Sequence, residues 1–411
     1  MVSVMDLQHS QFLDRSYWRT VSVITLWQIS ASICYYAVFA ATPFFRDAFG
    51  LSRFEVGVVV TGLTLGYAVF LLPLGAATDR YGEHRTLFLG LLGLAVGVLL
   101  VAGAPSYALL LCAVFVLGSA YGTAIPGTNK AVFDSIDLSR QNTAIGIKQV
   151  GVTAGSGISA LLVTGLATVI SWQAGFLLAA VLAVVVAFAF FVLYDGEADG
   201  SSGTVPNFRR LASNTPYYML SAAGFFLGAA LFTTTGYTIL YIEESVGASV
   251  VFGGYVFALV QLFGSVGRVL TGWLADVLPG EPRLRITMIL IAQTFASASL
   301  FVVVSMSNTP LASAIAFSAL GFFVLGNTGI YYSCMATLVP ADEMGAATAG
   351  SQLALITGAL VAPPVFGRLA DGFGYRVSWL FLGAGSAIAG VLLVGVIRAE
   401  LPSSKQPTTL D

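Results

Sequence analysis

The sequence predicts an all-α polytopic membrane protein: twelve spanning helices arranged as two six-helix halves. Three observations carry that expectation. Hydrophobic residues make up 57% of the chain and charged residues only 9%, against about 25% charged in a soluble domain, so there is too little polar surface to face water on every side. The apolar runs are about 20 residues or longer, the length of a helix that crosses a bilayer, and they lack the ten-residue alternation of barrel strands. Landmarks of the first half also recur, in the same order, in the second.

The expected spans are 17–43, 54–75, 86–104, 107–130, 144–168, 172–194, 217–241, 251–277, 285–305, 311–337, 346–366 and 377–397. The first carries Tyr35 and Tyr36. The second ends in "PLGAATDRYGEHR", and the fourth holds "FVLG" and Tyr121. The fifth is rich in glycine (Gly146, Gly151, Gly155, Gly157), the small residue that lets helices approach closely. The sixth opens with "SW". The longest polar interruption, 195–216, is rich in Gly, Ser and Pro and reads as a linker. It divides the chain into halves 1–194 and 217–411. The seventh span ends at Glu243 and Glu244, and the eighth closes with "GSVGRVLTGWLAD". The tenth repeats "FVLG" and adds Tyr331 and Tyr332. The eleventh holds Gln352, and the twelfth opens again with "SW".

Hydrocarbon offers no water to free backbone groups, which is why the spans are read as helices throughout. The N-terminus has two acids and no small-residue cleavage site before the first apolar run, so that run is expected to act as its own signal. Cys34, Cys112 and Cys334 all fall in apolar runs and read as buried thiols without a disulfide framework. Lysine and arginine set the orientation. With the N-terminus cytoplasmic, eleven of them fall in inner segments and four (Arg46, Arg53, Arg368, Arg376) in outer loops. Both termini and the linker are therefore expected on the cytoplasmic side of the cell membrane.

The duplication rests on four landmarks at nearly the same offset. Gly75 and Asp79 align with Gly272 and Asp276, "FVLG" with "FVLG", "SW" with "SW", and Gln149 with Gln352. A repeat with an even number of spans puts both copies in the same orientation, related by an axis along the membrane normal.

"GAATDRYGEHR" resembles the loop between helices two and three of the major facilitator superfamily, through Gly75, Asp79, Arg80, Gly82 and Arg85, with His84 where a basic residue is common. The second copy, "DVLPGEPRLR", keeps Gly272, Asp276 and Arg283 or Arg285 but loses the middle, as the second copy in that family usually does. The resemblance covers helix count, central linker and repeat. It implies the two-half transporter fold of that family and a cytoplasmic latch at these residues when the transporter opens outward. Physically, Gly75 and Asp79 share one face of a helix end, and the aspartate can accept from the N-terminus of a neighbouring helix. The alternative is that these charges only enforce topology. The Gly-Pro signature of drug/proton antiporters is absent, since no proline lies between 144 and 170.

Three cations, Lys130, Lys148 and Arg268, fall inside spans or at their edges. Ionisable groups at membrane depth face the bundle interior or a water-filled cavity. Arg268 lies eight residues before Asp276, about 12 Å along the helix at 1.5 Å per residue. Lys148 lies equally far past Arg140, whereas Lys130 can snorkel. No acid is read at comparable depth, so an arriving anion is the expected compensation. "GRVLTG" is similar to the eighth helix of monocarboxylate and oxalate/formate carriers, where an arginine four residues before a glycine contacts the substrate carboxylate; Val269 stands here where a proline usually follows. The bland reading is that Arg268 binds backbone carbonyls. Gln149, Gln352, Asn129, Asn327, Gln28 and Gln261 are the polar companions expected around the substrate, with Tyr35, Tyr121 and Tyr331 as aromatic walls.

The expected function is a secondary transporter of a small carboxylate-like organic anion, working by alternating access, with protons as the candidate coupling ion. The partners are that anion and the lipid bilayer, with no nucleic acid, and the chain is expected to be a monomer. Export of amphipathic compounds is the alternative. A membrane enzyme or a non-transporting sensor is the reading from another class. His9 and His84 lie outside the spans, and no metal cluster, catalytic triad or phosphate loop is visible, so no cofactor, metal or enzymatic activity is expected.

Overall fold

The computed structural model describes residues 4–137, 140–194, 214–340 and 343–400, with side chains described from residue 16 onward except at 142 and 400. The expected linker, 195–216, lies outside the described residues up to position 213. The described elements are helices: α1 (Val4–Ala40), α2 (Thr42–Phe49), α3 (Arg53–Tyr81), α4 (Glu83–Ala102), α5 (Tyr107–Tyr121), α6 (Ala124–Ser135), α7 (Gln141–Val169), α8 (Trp172–Leu193), α9 (Thr215–Glu244), α10 (Val250–Val277), α11 (Pro282–Met306), α12 (Pro310–Val324), α13 (Asn327–Leu338), α14 (Met344–Phe373) and α15 (Tyr375–Glu400). Among the described residues, twelve helical spans are long and apolar enough to cross a membrane. Large apolar side chains such as Val169, Leu193, Val269, Trp273 and Val391 stand exposed along them, as lipid-facing surfaces require.

The helix ends have local causes. The first span stops at Ala40, and Thr42–Phe49 forms a separate short helix with proline in its first turn and Gly50 at a left-handed φ of 64° closing it. Ser52 and Glu55 then form a reciprocal capping box that starts α3. The third span begins at Glu83, three residues earlier than expected, because Gly82 turns the chain there at φ 82°. The eleventh runs on to Phe373, past Pro363 and Pro364 and beyond the expected end at 366. The fourth and tenth spans are each interrupted midway, α5 from α6 at Gly122–Thr123 and α12 from α13 at Leu325–Gly326.

The chain packs as two compact units. One holds the described part of α1–α8 with residues 236–262; the other holds α9 up to residue 235 and everything from 263 on. Residues 236–262 join the first unit through specific contacts. Thr42 Oγ1 donates to the Gly236 carbonyl (3.2 Å), Tyr237 Oη donates to the Arg53 carbonyl (2.6 Å), and Arg46 and Arg53 both pair with Glu244.

Glycine sets the closest helix approaches, in equivalent places in each unit. In the first, a methyl on Gly66 of α3 would strike the Phe115 carbonyl of α5, one on Gly118 would strike the Leu63 carbonyl, and one on Gly155 of α7 would strike the Ile29 carbonyl of α1. In the second, Gly267 of α10 faces the Phe322 carbonyl of α12, and Gly358 of α14 faces the Phe225 carbonyl of α9. Of the other glycines expected to pack the fifth span, Gly151 abuts α1, Gly157 abuts Ala258, and Gly146 faces open space. Cys34 and Cys334 are buried as expected; Cys112 is exposed on α5, which corrects the reading of three buried thiols. The apolar run around it is apolar because it faces outward.

Gly118→Ala is therefore expected to destabilise the protein by roughly 1–3 kcal/mol, because a backbone carbonyl must give way. Gly146→Ala is expected to be neutral or stabilising by about 0.4–1 kcal/mol through the unfolded chain. Thermal unfolding of the detergent-solubilised variants checks both.

Candidate functional site

Among the described residues only two charged side chains are buried, Lys148 at 2% exposure and Glu83 at 0%. Lys148 lies on α7. Its ammonium donates to Thr128 Oγ1 (3.0 Å) and to Asn129 Oδ1 (2.5 Å), both on α6 just beyond the break in the fourth span. An ammonium has donors only, so the amide oxygen of Asn129 is the atom that must face it. Both partners are neutral, and no carboxylate pairs with Lys148 among the described residues.

Three residues further along α7, Gly151 packs against the Thr25 carbonyl and the Gln28 side chain of α1. This brings a second polar group onto the same wall. Gln28 Nε2 lies 3.3 Å from Ser32 Oγ and 3.4 Å from Tyr121 Oη, and all three side chains are buried. Tyr121 stacks on Tyr35 with ring centroids 4.1 Å apart, and Tyr67 meets both rings at an angle. The first unit thus joins Lys148, Asn129, Tyr121 and Tyr35 of the expected set with Gln28. It adds Thr128 and Ser32, which nothing in the sequence distinguished from the other hydroxyl residues of the spans. Gln149 departs from this group: one residue past Lys148 it turns to the exposed face of the helix.

The second unit carries the other expected residues. Arg268 is half-buried on α10, and its Nε donates to the Leu325 carbonyl (3.0 Å) at the break between α12 and α13. Thr328 Oγ1 donates to the same carbonyl (3.1 Å). A broken helix leaves carbonyls without helical partners, and Arg268 ties one down, the structural role that the sequence reading held as its alternative. Asn327 follows the break and is buried at 1% exposure, with no hydrogen bond to its Oδ1 among the described residues. Tyr331 is buried against Gly224 and donates to the Ser351 carbonyl (3.3 Å), while Tyr332 donates to Gln352.

The expected latch residues lie at helix ends. A methyl on Gly75 would make only ordinary contact with Pro126, Asp79 is half-buried, and Arg80 and Arg85 are exposed, with the Arg80 guanidinium over the Tyr81 ring. Gly272 faces open space and Asp276 is exposed. The strongest geometric demand in this motif falls on Gly82, which alone of the set adopts a positive φ. Next to it, Glu83, an acid that the sequence does not single out, opens α4 and is fully buried at that helix end.

Comparison with known proteins gives a consistent picture. Residues 24–354 match the family model described as Major Facilitator Superfamily. The hexuronate transporter of Bacillus subtilis is 24% identical over 90% of this chain and 92% of its own length. The D-galactonate transporter of Escherichia coli is 22% identical over 90% of this chain and 94% of its own. Among solved structures, a bacterial homologue of the human lysosomal transporter Spinster, in an inward-facing and occupied conformation, superimposes with a TM-score of 0.76 over 96% of this chain and 99% of its own at 16% identity.

Arg268→Lys keeps the charge but removes the Nε donor to Leu325. A hydrogen bond from a charged group contributes roughly 1.5–3 kcal/mol, so the substitution is expected to lower the unfolding temperature even without any substrate. An unchanged unfolding temperature would remove the structural role of Arg268.

Proposed function

The chain belongs to the major facilitator superfamily, and on that premise we propose that it transports a small, hydroxylated organic anion, with Lys148 receiving the carboxylate and protons as the coupling ion. The observation that carries this reading is the burial of the Lys148 ammonium among neutral oxygens alone. Burying an unpaired charge costs several kcal/mol, and an incoming carboxylate supplies the missing counter-charge. Thr128 and Asn129 orient the ammonium, since each fixes one of its three donors.

Gln28, Ser32 and Tyr121 form a buried patch that can both donate and accept, matched to a polyol chain rather than to an alkyl one. The Tyr35–Tyr121 stack offers an apolar face for the carbon skeleton. The relatives named for hexuronate and D-galactonate support a sugar-acid substrate. Arg268 is the anion-binding candidate of the second unit, using the guanidinium that Leu325 already orients. Asn327, Tyr331 and Gln352 are its proposed companions, and Gln149 is retained as a contact only through its helix neighbour Lys148. The latch at Gly75, Asp79, Arg80, Gly82, Arg85, Gly272 and Asp276 belongs to the same alternating-access reading.

Uptake into proteoliposomes tests the proposal. Wild-type protein is expected to take up D-glucuronate or D-galactonate. Lys148→Met is expected to reduce uptake about tenfold or more, equivalent to at least about 1.4 kcal/mol. Full uptake by this variant sinks the assignment of Lys148. Protein that ignores both sugar acids but moves a lipophilic cation such as tetraphenylphosphonium would favour the amphipathic-export alternative.

A further inference from the structure

We propose that Glu83 is a proton-binding site, in which a proton on Oε1 and the approach of Lys130 to Oε2 are alternative ways to neutralise the same buried carboxylate. The inference rests on the transporter reading above for its role in coupling, but its geometry stands independently of which anion is carried.

Glu83 is fully buried at the start of α4. Its Oε2 accepts no hydrogen bond among the described residues. The Lys130 ammonium lies 3.9 Å from that oxygen, beyond hydrogen-bonding distance, and is engaged with Asp134 one turn further along α6. The carboxylate is therefore half served: one oxygen is bonded, and the other has a cation near it but not on it.

Tyr194 Oη sits 3.1 Å from Glu83 Oε1, 3.3 Å from the Ala131 carbonyl and 2.9 Å from Ser135 Oγ. A phenol has one proton to donate and can accept. If Glu83 is ionised, that proton must choose between two acceptors, and one contact is lost. If Glu83 carries a proton on Oε1, all three contacts of the Tyr194 hydroxyl are satisfied: Glu83 donates to Tyr194, Tyr194 donates to the Ala131 carbonyl, and Ser135 donates to Tyr194. Burial pushes the Tyr194 phenol above its ordinary range, so the phenol keeps its own proton throughout. The proton that comes and goes is the one on Glu83, taken from and returned to water.

The surroundings limit what else could titrate. From α6 the charged neighbours are Lys130 and Asp134; from α3, Asp79, whose charge acts on Lys130; from the end of α8, Tyr194. On α4 itself, His84 turns away, stacked on Phe191 with its Nε2 at the Phe191 carbonyl (3.0 Å). Among the described residues α1 and α5 give Glu83 no hydrogen bond or ion pair. Release of the proton would draw Lys130 from Asp134 towards Oε2, so the state of Glu83 sets which acid on α4 or α6 the lysine holds. This transmits a protonation event to the junction of α3, α4, α6 and α8.

Infrared difference spectroscopy of purified protein between acidic and alkaline buffer tests the site without any substrate. A protonated-carboxyl band is expected in wild type that appears on acidification and is missing from Glu83→Gln. If the two difference spectra coincide, the proposal falls. Should Glu83→Gln fail to fold, Tyr194→Phe removes the acceptor of the proposed O–H, and the band is expected to shift; an unshifted band overturns the assignment. Uptake of D-glucuronate into proteoliposomes then tests coupling. Wild-type accumulation is expected to follow an imposed pH gradient, and that pH dependence is expected to vanish in Glu83→Gln. Wild-type exchange of D-glucuronate that ignores the gradient refutes the coupling role and leaves the anion site standing. A titrating Glu83 band in a protein that never moves a sugar acid refutes the anion reading and leaves the proton site standing.

Discussion

An ammonium buried without a carboxylate is the constraint on which the proposed site depends. Lys148 lies where α7 packs tightly against α1, an approach that Gly155 requires and Gly151 eases. Its partners reach their positions because the fourth span breaks at Gly122–Thr123 and re-forms with Thr128 and Asn129 on the face that meets α7. Small residues, a broken helix and one cation thus form a single device. The glycines bring backbones together, the break supplies polar atoms inside an apolar bundle, and the cation gives the polar site its sign. Discontinuous spans are where transporters of this kind place their ligands, and the tenth span breaks in the equivalent place, where Arg268 holds the freed carbonyl.

Much of the fold was legible in the sequence because membrane proteins obey coarse rules. Span length, the duplicated landmarks and the glycine-rich fifth helix all follow from hydrocarbon thickness and backbone bonding, and the structure has twelve spans in matching places. The glycine contacts sharpen the repeat, since Gly66 and Gly267, and likewise Gly155 and Gly358, meet carbonyls in equivalent helix pairs. Helix ends were less legible, because a helix can run past a proline pair, as α14 does, or stop for a single glycine, as α3 does at Gly82.

The site was legible in part. Lys148 and Arg268 stood out because a cation within a span is costly wherever it points. Direction was the difficulty. Gln149 and Lys148 are neighbours in sequence and point to different faces of α7, and the glycine-rich surroundings gave no periodicity to separate them. Glu83 was missed for a related reason. It sits in a charged loop motif, where the sequence suggests solvent, whereas the fold buries it fully and sets Tyr194 on its carboxylate. Arg268 shows a third limit: the carbonyl it holds belongs to a helix break that no proline announces.

Calorimetric titration of D-glucuronate into the purified protein measures the central claim most directly, with the neutral methyl ester of the same sugar acid as the control. The account predicts that wild type binds the acid and not the ester, and that Lys148→Met binds neither. Equal binding of acid and ester, or unchanged binding of the acid by Lys148→Met, would contradict it.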